Sequence, residues 1–423
     1  MYEQLKKALY FYVASYFRFF AQIRLKRWKP KVIVVTGSNG KTTLLHMLEA
    51  QLGAKAKVSH HANSAFGVPF DILDLHRKSM QTSEWLKLLL DAPRNVFKPL
   101  PSEKIYVVEA DADRPMEGVF LATLLQPDVV LWVSTGRTHS MNFDHLVEEG
   151  EFETVEEAIA HEYGYFLKYC KKLAIIDGDS ALENGQVFRA KAEVKAITKK
   201  DFLKKYSVEK EGTTFAMQDR SYAFNGLLPE EIYLSIAMCK ETMKYLQLDF
   251  DPKFSNFTLP PGRGTILKGM KDTMLIDSSY NGNLGSIKAM LMMFADFPAK
   301  QKWLVLGDMK ELGKEEKEEH ELLAKMINDM DVDRVILVGK AITKYTLPLI
   351  KQKIHAPGFE KAPQAMSYLQ DHISGGEAIL FKGSQSIYLE GLIEQLLKHK
   401  EDSKKLPRQD QFWKDQRKKL GFK

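Results

Sequence analysis

The residues best equipped for chemistry stand together near the start of the chain. Gly37-Ser38-Asn39-Gly40-Lys41-Thr42-Thr43 follows the β-branched run Val32-Ile33-Val34-Val35 and precedes a helical pattern from Leu44 to Leu52. A buried strand, a glycine-rich turn and a helix N-terminus make an anion site, because backbone N–H groups and the helix dipole both favour negative charge there. Gly37 and Gly40 allow close backbone approach, Lys41 reaches the outer phosphates, and Thr42 can hold magnesium through its hydroxyl. The strict pattern GxxxxGK[ST] is not met, since Val35 stands where its first glycine would be. The shorter GxxGKTT is also compatible with a plain tight turn, but such a turn has no need of Lys-Thr-Thr. The segment is therefore read as a nucleotide site, with Gly37, Ser38, Asn39, Gly40, Lys41, Thr42 and Thr43 at the phosphates. Glu109 and His139 each follow an apolar run, Lys104 to Val108 and Val129 to Val133. Each also has a plain reading, as an ordinary strand-end carboxylate and as a structural or surface histidine.

These groups need a scaffold, and the chain supplies alternating strands and helices. The runs at 32–35, 104–108, 129–133 and 173–176 read as strands with helical stretches between them, the pattern of an α/β domain with a mostly parallel sheet. A shift comes at Leu259-Pro260-Pro261-Gly262-Arg263-Gly264, after which βα units restart with strands at 273–276, 303–306, 334–338 and 378–381. The expected organisation is an N-terminal basic aromatic helix (1–30), a central ATP-binding domain (31–258), a Rossmann-like C-terminal α/β domain (259–397) and a basic tail (398–423). The tail reads as poorly ordered except around Phe412-Trp413.

Composition bounds the function. Cys170 and Cys239 are the two cysteines and neither forms a CxxC pair, which argues against structural zinc and against a disulfide framework and suits a cytoplasmic protein. The formal net charge is +6, yet residues 1–30 carry seven Lys/Arg against one acid and residues 398–423 carry ten against four. The middle is accordingly acidic, which speaks against a nucleic-acid groove through the core. The stretch from Ala8 to Ile23 holds Arg18 and is short for a membrane span. Tyr10, Phe11, Tyr16, Phe19 and Phe20 beside Lys6, Lys7, Arg24 and Arg27 fit either an interfacial helix at the inner membrane face or an amphipathic helix packed on the protein itself.

Further segments carry a resemblance. Asn63 to Pro69, Val107-Val108-Glu109-Ala110, and Pro127-Asp128-Val129-Val130 followed by His139 are similar in order to segments of the Mur ligases. So are Pro261-Gly262-Arg263, Asp277-Ser278-Ser279-Tyr280-Asn281-Gly282-Asn283, Leu306-Gly307-Asp308-Met309-Lys310-Glu311-Leu312-Gly313 with His320, and Lys382-Gly383-Ser384. The last three resemble the MurF branch. The resemblance implies an ATP- and Mg2+-dependent ligase that phosphorylates a peptide carboxylate and lets the amine of an amino acid or dipeptide displace phosphate. It implies Lys41, Glu109 and His139 in catalysis and Thr42, Glu109 and His139 around metal. Asn281 would contact adenine, Asp308 the ribose or phosphate edge, and Arg263 the nucleotide. Without its motif Asp308 would read as a turn cap, and His320 reads as packing.

The chain also departs from that pattern. Only about 30 residues precede the strand at Val32, where the bacterial Mur ligases carry a domain that grips a uridine-diphosphate sugar. The family's carbamylated, metal-bridging lysine falls at or beside Glu162, in Ala158-Ile159-Ala160-His161-Glu162-Tyr163. Glu162 is therefore expected to supply a permanent carboxylate to the metal, with His161 as the other candidate; alternatively the helix no longer touches metal. Gly226 to Glu230 lacks the usual histidine and asparagine, and Gln385 stands where arginine is frequent. Three readings remain open: addition of an amino acid or dipeptide to a cell-wall peptide, the same chemistry on a polyglutamate, pseudomurein-like or lipid-linked substrate, and a nucleotide-binding scaffold without turnover.

Overall fold

In this computed structural model the described residues are 2–60, 62–77 and 82–422, with side chains from Leu9 onward except at Thr82 and Ser83. The Lys6 and Lys7 side chains, expected beside the aromatics of the first helix, lie outside them. Compactness divides the chain into two units, residues 1–136, 145–199 and 234–257 in one, residues 137–144, 200–233 and 258–423 in the other. This division runs differently from a boundary at 258/259, because 200–233 goes with the second unit.

The first unit is built on six parallel strands: β1 (Lys31–Thr36), β2 (Ala56–Ser59), β3 (Ile105–Glu109), β4 (Val129–Trp132), β5 (Leu173–Asp177) and β6 (Glu193–Ile197), in the order β2-β3-β1-β4-β5-β6. Five of the six residues of β1 are buried, as its β-branched run demands of a strand covered on both faces. It pairs with β3 on one side and β4 on the other, aligning Val35 with Glu109 and Thr36 with Trp132. Consecutive strands thus diverge to both sides of β1, the point of an open α/β sheet where ligands bind beyond the strand C-termini. The longer helices are α1 (Tyr2–Trp28), α2 (Lys41–Leu52), α3 (Gly67–Leu73), α4 (Thr82–Asn95), α5 (Glu117–Leu125), α6 (Val155–Tyr169) and α7 (Ile232–Leu246).

Helix α1 packs on its own unit. Phe17 is fully buried against Phe66, Phe70 and Trp85, Arg24 donates to the carbonyls of Asn95 and Pro99, and the Trp28 indole N–H donates to Glu103 O at 2.7 Å. Leu9, Tyr12, Tyr16 and Phe19, spaced three and four apart along the opposite stripe, are exposed. Among the described residues no helix is long and apolar enough to cross a membrane.

The second unit holds an antiparallel three-stranded sheet, β7 (Leu203–Val208), β8 (Gly212–Met217) and β9 (Ser221–Asn225), and a six-stranded sheet. The latter comprises β10 (Thr265–Lys268), β11 (Met274–Ser278), β12 (Lys302–Gly307), β13 (Arg334–Val338), β14 (Gly358–Phe359) and β15 (Ala378–Lys382), ordered β10-β11-β15-β12-β13-β14 and parallel except at β10. Its helices are α8 (Leu284–Ala295), α9 (Glu316–Asn328), α10 (Ala362–His372), α11 (Glu390–Leu396) and α12 (Gln411–Leu420). Helix α8 starts on a reciprocal Asn283–Ser286 capping box.

The tail differs from expectation. Glu390, fully buried on α11, takes Arg408 at 2.9 and 2.7 Å and Arg417 at 3.3 Å, and Phe422 packs against Gly391. Charges that read as a solvated run are in part neutralised inside the unit, which orders residues 411–420 as a helix.

Candidate active site

The sharp turn between β1 and α2 requires its glycines. Gly37 has φ 124° and a Cβ there would lie 2.6 Å from Ser134 O; Gly40 has φ 84°. The segment after β4 holds the turn in place: Ser38 N–H donates to Ser134 O (2.9 Å), Asn39 N–H to Ser134 Oγ (2.8 Å), and the Ser38 hydroxyl to Gly136 O (2.7 Å). Helix α2 then begins at Lys41 with Gly40, which has no side chain to cap it, at its N-cap.

Lys41 and Thr42 sit on this first turn and meet two acids. Thr42 Oγ1 donates to Glu109 Oε2 at 3.1 Å, bringing the two expected metal-binding residues together. Lys41 Nζ lies 2.7 Å from Asp111 Oδ1 and donates to the carbonyls of Gly37 (2.5 Å) and Ser38 (3.2 Å). Burial pulls the Lys41 ammonium down, but Asp111, with Tyr163 and Glu109, more than offsets this and holds it above the ordinary lysine value. Asp111 in turn accepts from Asn63 Nδ2 at 2.8 Å.

The sequence reading did not single out Asp111 or Tyr163. Asp111 is two residues beyond Glu109, past the end of β3, where its backbone N–H donates to Asn63 O. Tyr163 is buried on α6, hydrogen-bonded with Ser38, and burial, opposed by Lys41 and reinforced by Asp111 and Asp113, keeps its phenol protonated well above the usual range. Glu162 turns elsewhere. Its two oxygens accept from Met116 N and Gly118 N, both at 2.9 Å, making it a cap for α5 supplied from α6. Gly118 permits that contact, since a Cβ there would meet Glu162 O at 2.1 Å. Burial raises the Glu162 carboxyl and the two N–H groups lower it again. Both oxygens of Glu162, the expected bridging carboxylate, thus accept backbone N–H groups at the start of α5. The other candidate, His161, is depressed by burial and then by Arg189 and Lys168, and its carbonyl accepts from Arg189.

The remaining candidates lie in the second unit. His139 has φ 55° and its Nδ1 is 2.5 Å from Glu311 Oε2. Asp308 is buried at the end of β12, where Oδ1 accepts from Ile342 N and Oδ2 pairs with Lys310, both at 2.8 Å. Arg263 lies over the Tyr280 ring, 4.7 Å from its centroid, and Asn281 is exposed beside it. Lys382-Gly383-Ser384 joins these segments: Lys382 Nζ donates to Asn281 O (2.6 Å) and Ser384 N–H to Asp308 O (3.0 Å). Burial, then Arg263, brings Lys382 down to about 7. His320 is buried and packs as expected, near Tyr345 and within the turn after β12.

Comparison with known proteins places the chain in a family. The family model of the Mur ligase middle domain matches residues 35–229, and that of the Mur ligase, glutamate ligase domain matches residues 262–385. The chain is 24% identical over 390 residues to the UDP-N-acetylmuramoyl-tripeptide--D-alanyl-D-alanine ligase of Synechocystis sp., spanning 88% of this chain and 76% of that one. It is 24% identical over 387 residues to the enzyme of the same name from Bacillus subtilis, spanning 89% and 78%. The fold is similar to that of the MurF ligase from Thermotoga maritima crystallised with ADP, with a TM-score of 0.73 and 23% identity over 92% of this chain and 84% of that one. The middle-domain match, which contains the phosphate loop, followed by the glutamate ligase domain match, means that the chain belongs to the Mur ligase family.

Proposed function

We propose that the chain is a MurF-like, ATP-dependent peptide ligase whose acyl donor is a UDP-muramoyl tripeptide and whose incoming amine is D-alanyl-D-alanine. The observation that carries the reading is Lys41 and Thr42 on the first turn of α2 with Glu109 3.1 Å from the Thr42 hydroxyl. The substrate carboxylate attacks the γ-phosphorus and ADP leaves. The amine then adds to the acyl carbon and phosphate is expelled, leaving an amide. Lys41 meets the negative charge spread over the transferred phosphoryl oxygens, and the N–H groups at the start of α2 face the same charge.

The hydroxyl and carboxylate of Thr42 and Glu109 are the hard oxygen donors magnesium takes, and they would hold it. That ion would supply charge neutralisation between the β- and γ-phosphates. His139 is proposed near a second metal, with Glu311 fixing the ring through Nδ1. Arg263, Asn281 and Asp308 are proposed around the nucleoside, held in register by the Lys382-Gly383-Ser384 loop. The exposed apolar stripe Leu9, Tyr12, Tyr16 and Phe19 supports a contact with a membrane surface, which sedimentation with lipid vesicles with and without phosphatidylglycerol tests.

The deciding experiment is ADP release from magnesium-ATP with UDP-linked and lipid-linked tripeptides, each with and without D-alanyl-D-alanine. Turnover that needs both the UDP-linked peptide and the dipeptide is expected. Turnover only with the lipid-linked peptide would reassign the donor. ATP binding without turnover on any pair would leave a non-catalytic scaffold.

A further inference from the structure

Five residues beyond Lys41 on the same helix, a second cluster of ligating groups occupies the first unit. His46 and Glu49 lie one turn apart on α2, and the chain returns through β2 to place His60 beside them. His60 Nε2 is 2.8 Å from Glu49 Oε1, and His46 Nδ1 is 3.6 Å from Glu49 Oε2. The two imidazole rings are 4.7 Å apart and inclined by 37°, and one donor atom from each residue lies within 4.8 Å of the other two. None of the three belongs to the phosphate loop or to its acids.

We infer that His46, Glu49 and His60 form a site for a divalent transition-metal ion of the zinc class, separate from the magnesium proposed for the ligase reaction. Two imidazoles and one carboxylate are a recognised zinc donor set. A tetrahedral ion with bonds of about 2.0–2.2 Å needs ligand atoms about 3.3–3.5 Å apart. The 2.8 Å separation from His60 Nε2 to Glu49 Oε1 and the 3.6 Å separation from His46 Nδ1 to Glu49 Oε2 lie on either side of that edge, and one donor atom from each residue is within 4.8 Å of the other two. Imidazole favours zinc, nickel and copper over magnesium, whereas the Thr42–Glu109 oxygens favour magnesium, so the two sites select different ions.

The surroundings fit an accessible ion. The His46, Glu49 and His60 side chains are 25%, 44% and 26% exposed, which leaves a fourth position open to water. The cysteines that would compete for a soft ion are both buried. The ion would fasten α2 to the segment after β2. That segment carries Asn63, which donates to Asp111, the partner of Lys41. Zinc is therefore placed as a clamp on the helix that begins at the phosphate loop, and the inference holds whether or not the ligase reading does.

The test is a zinc titration of the full chain, stripped with chelator, against a chromophoric zinc indicator in millimolar magnesium. One equivalent is expected to bind in spite of the magnesium. His46→Ala and His60→Ala are each expected to weaken it tenfold or more, since even indirect partners of a metal ligand cost about 10–100-fold when lost. Far-UV circular dichroism of the zinc-free variants separates loss of the site from loss of the fold. Cobalt substituted for zinc should give visible d–d bands that disappear in both variants. Absence of a stoichiometric site, or one unchanged by either histidine substitution, overturns the inference. Zinc lost on Glu109→Gln but retained in His46→Ala would put the ion at the phosphate loop and equally overturn it.

Discussion

Replacing Asp111 by asparagine probes how the phosphate loop is held before nucleotide arrives. Lys41 and Asp111 are only 9% and 10% exposed and 2.7 Å apart, so the pair is nearly dry. Removing one member of a buried pair costs about 3–5 kcal/mol. The lower end applies here, because the Gly37 and Ser38 carbonyls still accept from Lys41 and an asparagine oxygen keeps part of the contact. At about 2–4 °C per kcal/mol for a unit of this size, the nucleotide-free protein should melt about 6–12 °C lower. Binding should move the other way. In the unmodified chain a phosphate must draw Lys41 away from Asp111; in Asp111→Asn it meets an ammonium that already lacks its anion. If about 1.4 kcal/mol of the lost pairing is recovered, ADP binds about tenfold more tightly. Calorimetric titration with ADP in EDTA measures this directly, and ADP should also raise the variant's melting temperature more than the wild type's. Equal or weaker ADP binding without magnesium would refute the reasoning. Weaker binding only when magnesium is added would instead give Asp111 to the cation.

Three other outcomes follow from the same contacts. Glu162→Gln keeps one acceptor for the start of α5, so it should lower stability by about 1 kcal/mol and change turnover by no more than a fewfold; a hundredfold loss, with bicarbonate restoring Glu162→Lys, would return Glu162 to the metal. Glu390→Gln leaves Arg408 and Arg417 without their buried anion, at a cost of about 3–5 kcal/mol, and limited trypsin digestion should then cut within residues 408–420, which stay protected in the wild type. Lys382 titrates near 7 when folded, against about 10.4 unfolded. Below pH 7 both states carry the proton and the full burial penalty is felt. Above it the unfolded chain binds more protons, so stability should rise by about 1–2 kcal/mol between pH 7.5 and 9. Denaturant melts should show that rise in the wild type and not in Lys382→Met.

What could be read from the sequence follows how local the physics is. The continuous run into Gly37 announces a covered strand and its phosphate turn because every determinant lies within a dozen residues. The strands Ala56–Ser59 and Glu193–Ile197 escaped notice. They lie at opposite edges of the first unit's sheet, where Lys57, Glu193 and Lys195 are tolerated and blur the apolar signal. The antiparallel strands within 203–225 were likewise hidden, since β7 carries the exposed Lys204 and Lys205 among half-buried neighbours. Asp111 lies past the end of β3, where strand alternation no longer says which way a side chain turns.

Helix geometry governs what Glu162 meets. On a helix one residue turns the side chain by about 100°, so a position correct to within one residue still faces the wrong neighbour. Glu162 faces the start of α5, whereas Tyr163 beside it faces Ser38 and Lys41. A carboxylate matched to a metal role by chemical type also has two backbone N–H groups to satisfy, which the sequence does not show. The tail makes the converse case. Its ten basic residues predict repulsion only while they are counted as free charges. Glu390 stands 18 residues before Arg408 and 27 before Arg417, and burial of the three together turns a run that composition reads as solvated into a docked helix. Charge counts describe a segment in water; which charges leave water depends on a partner that only the fold brings into contact.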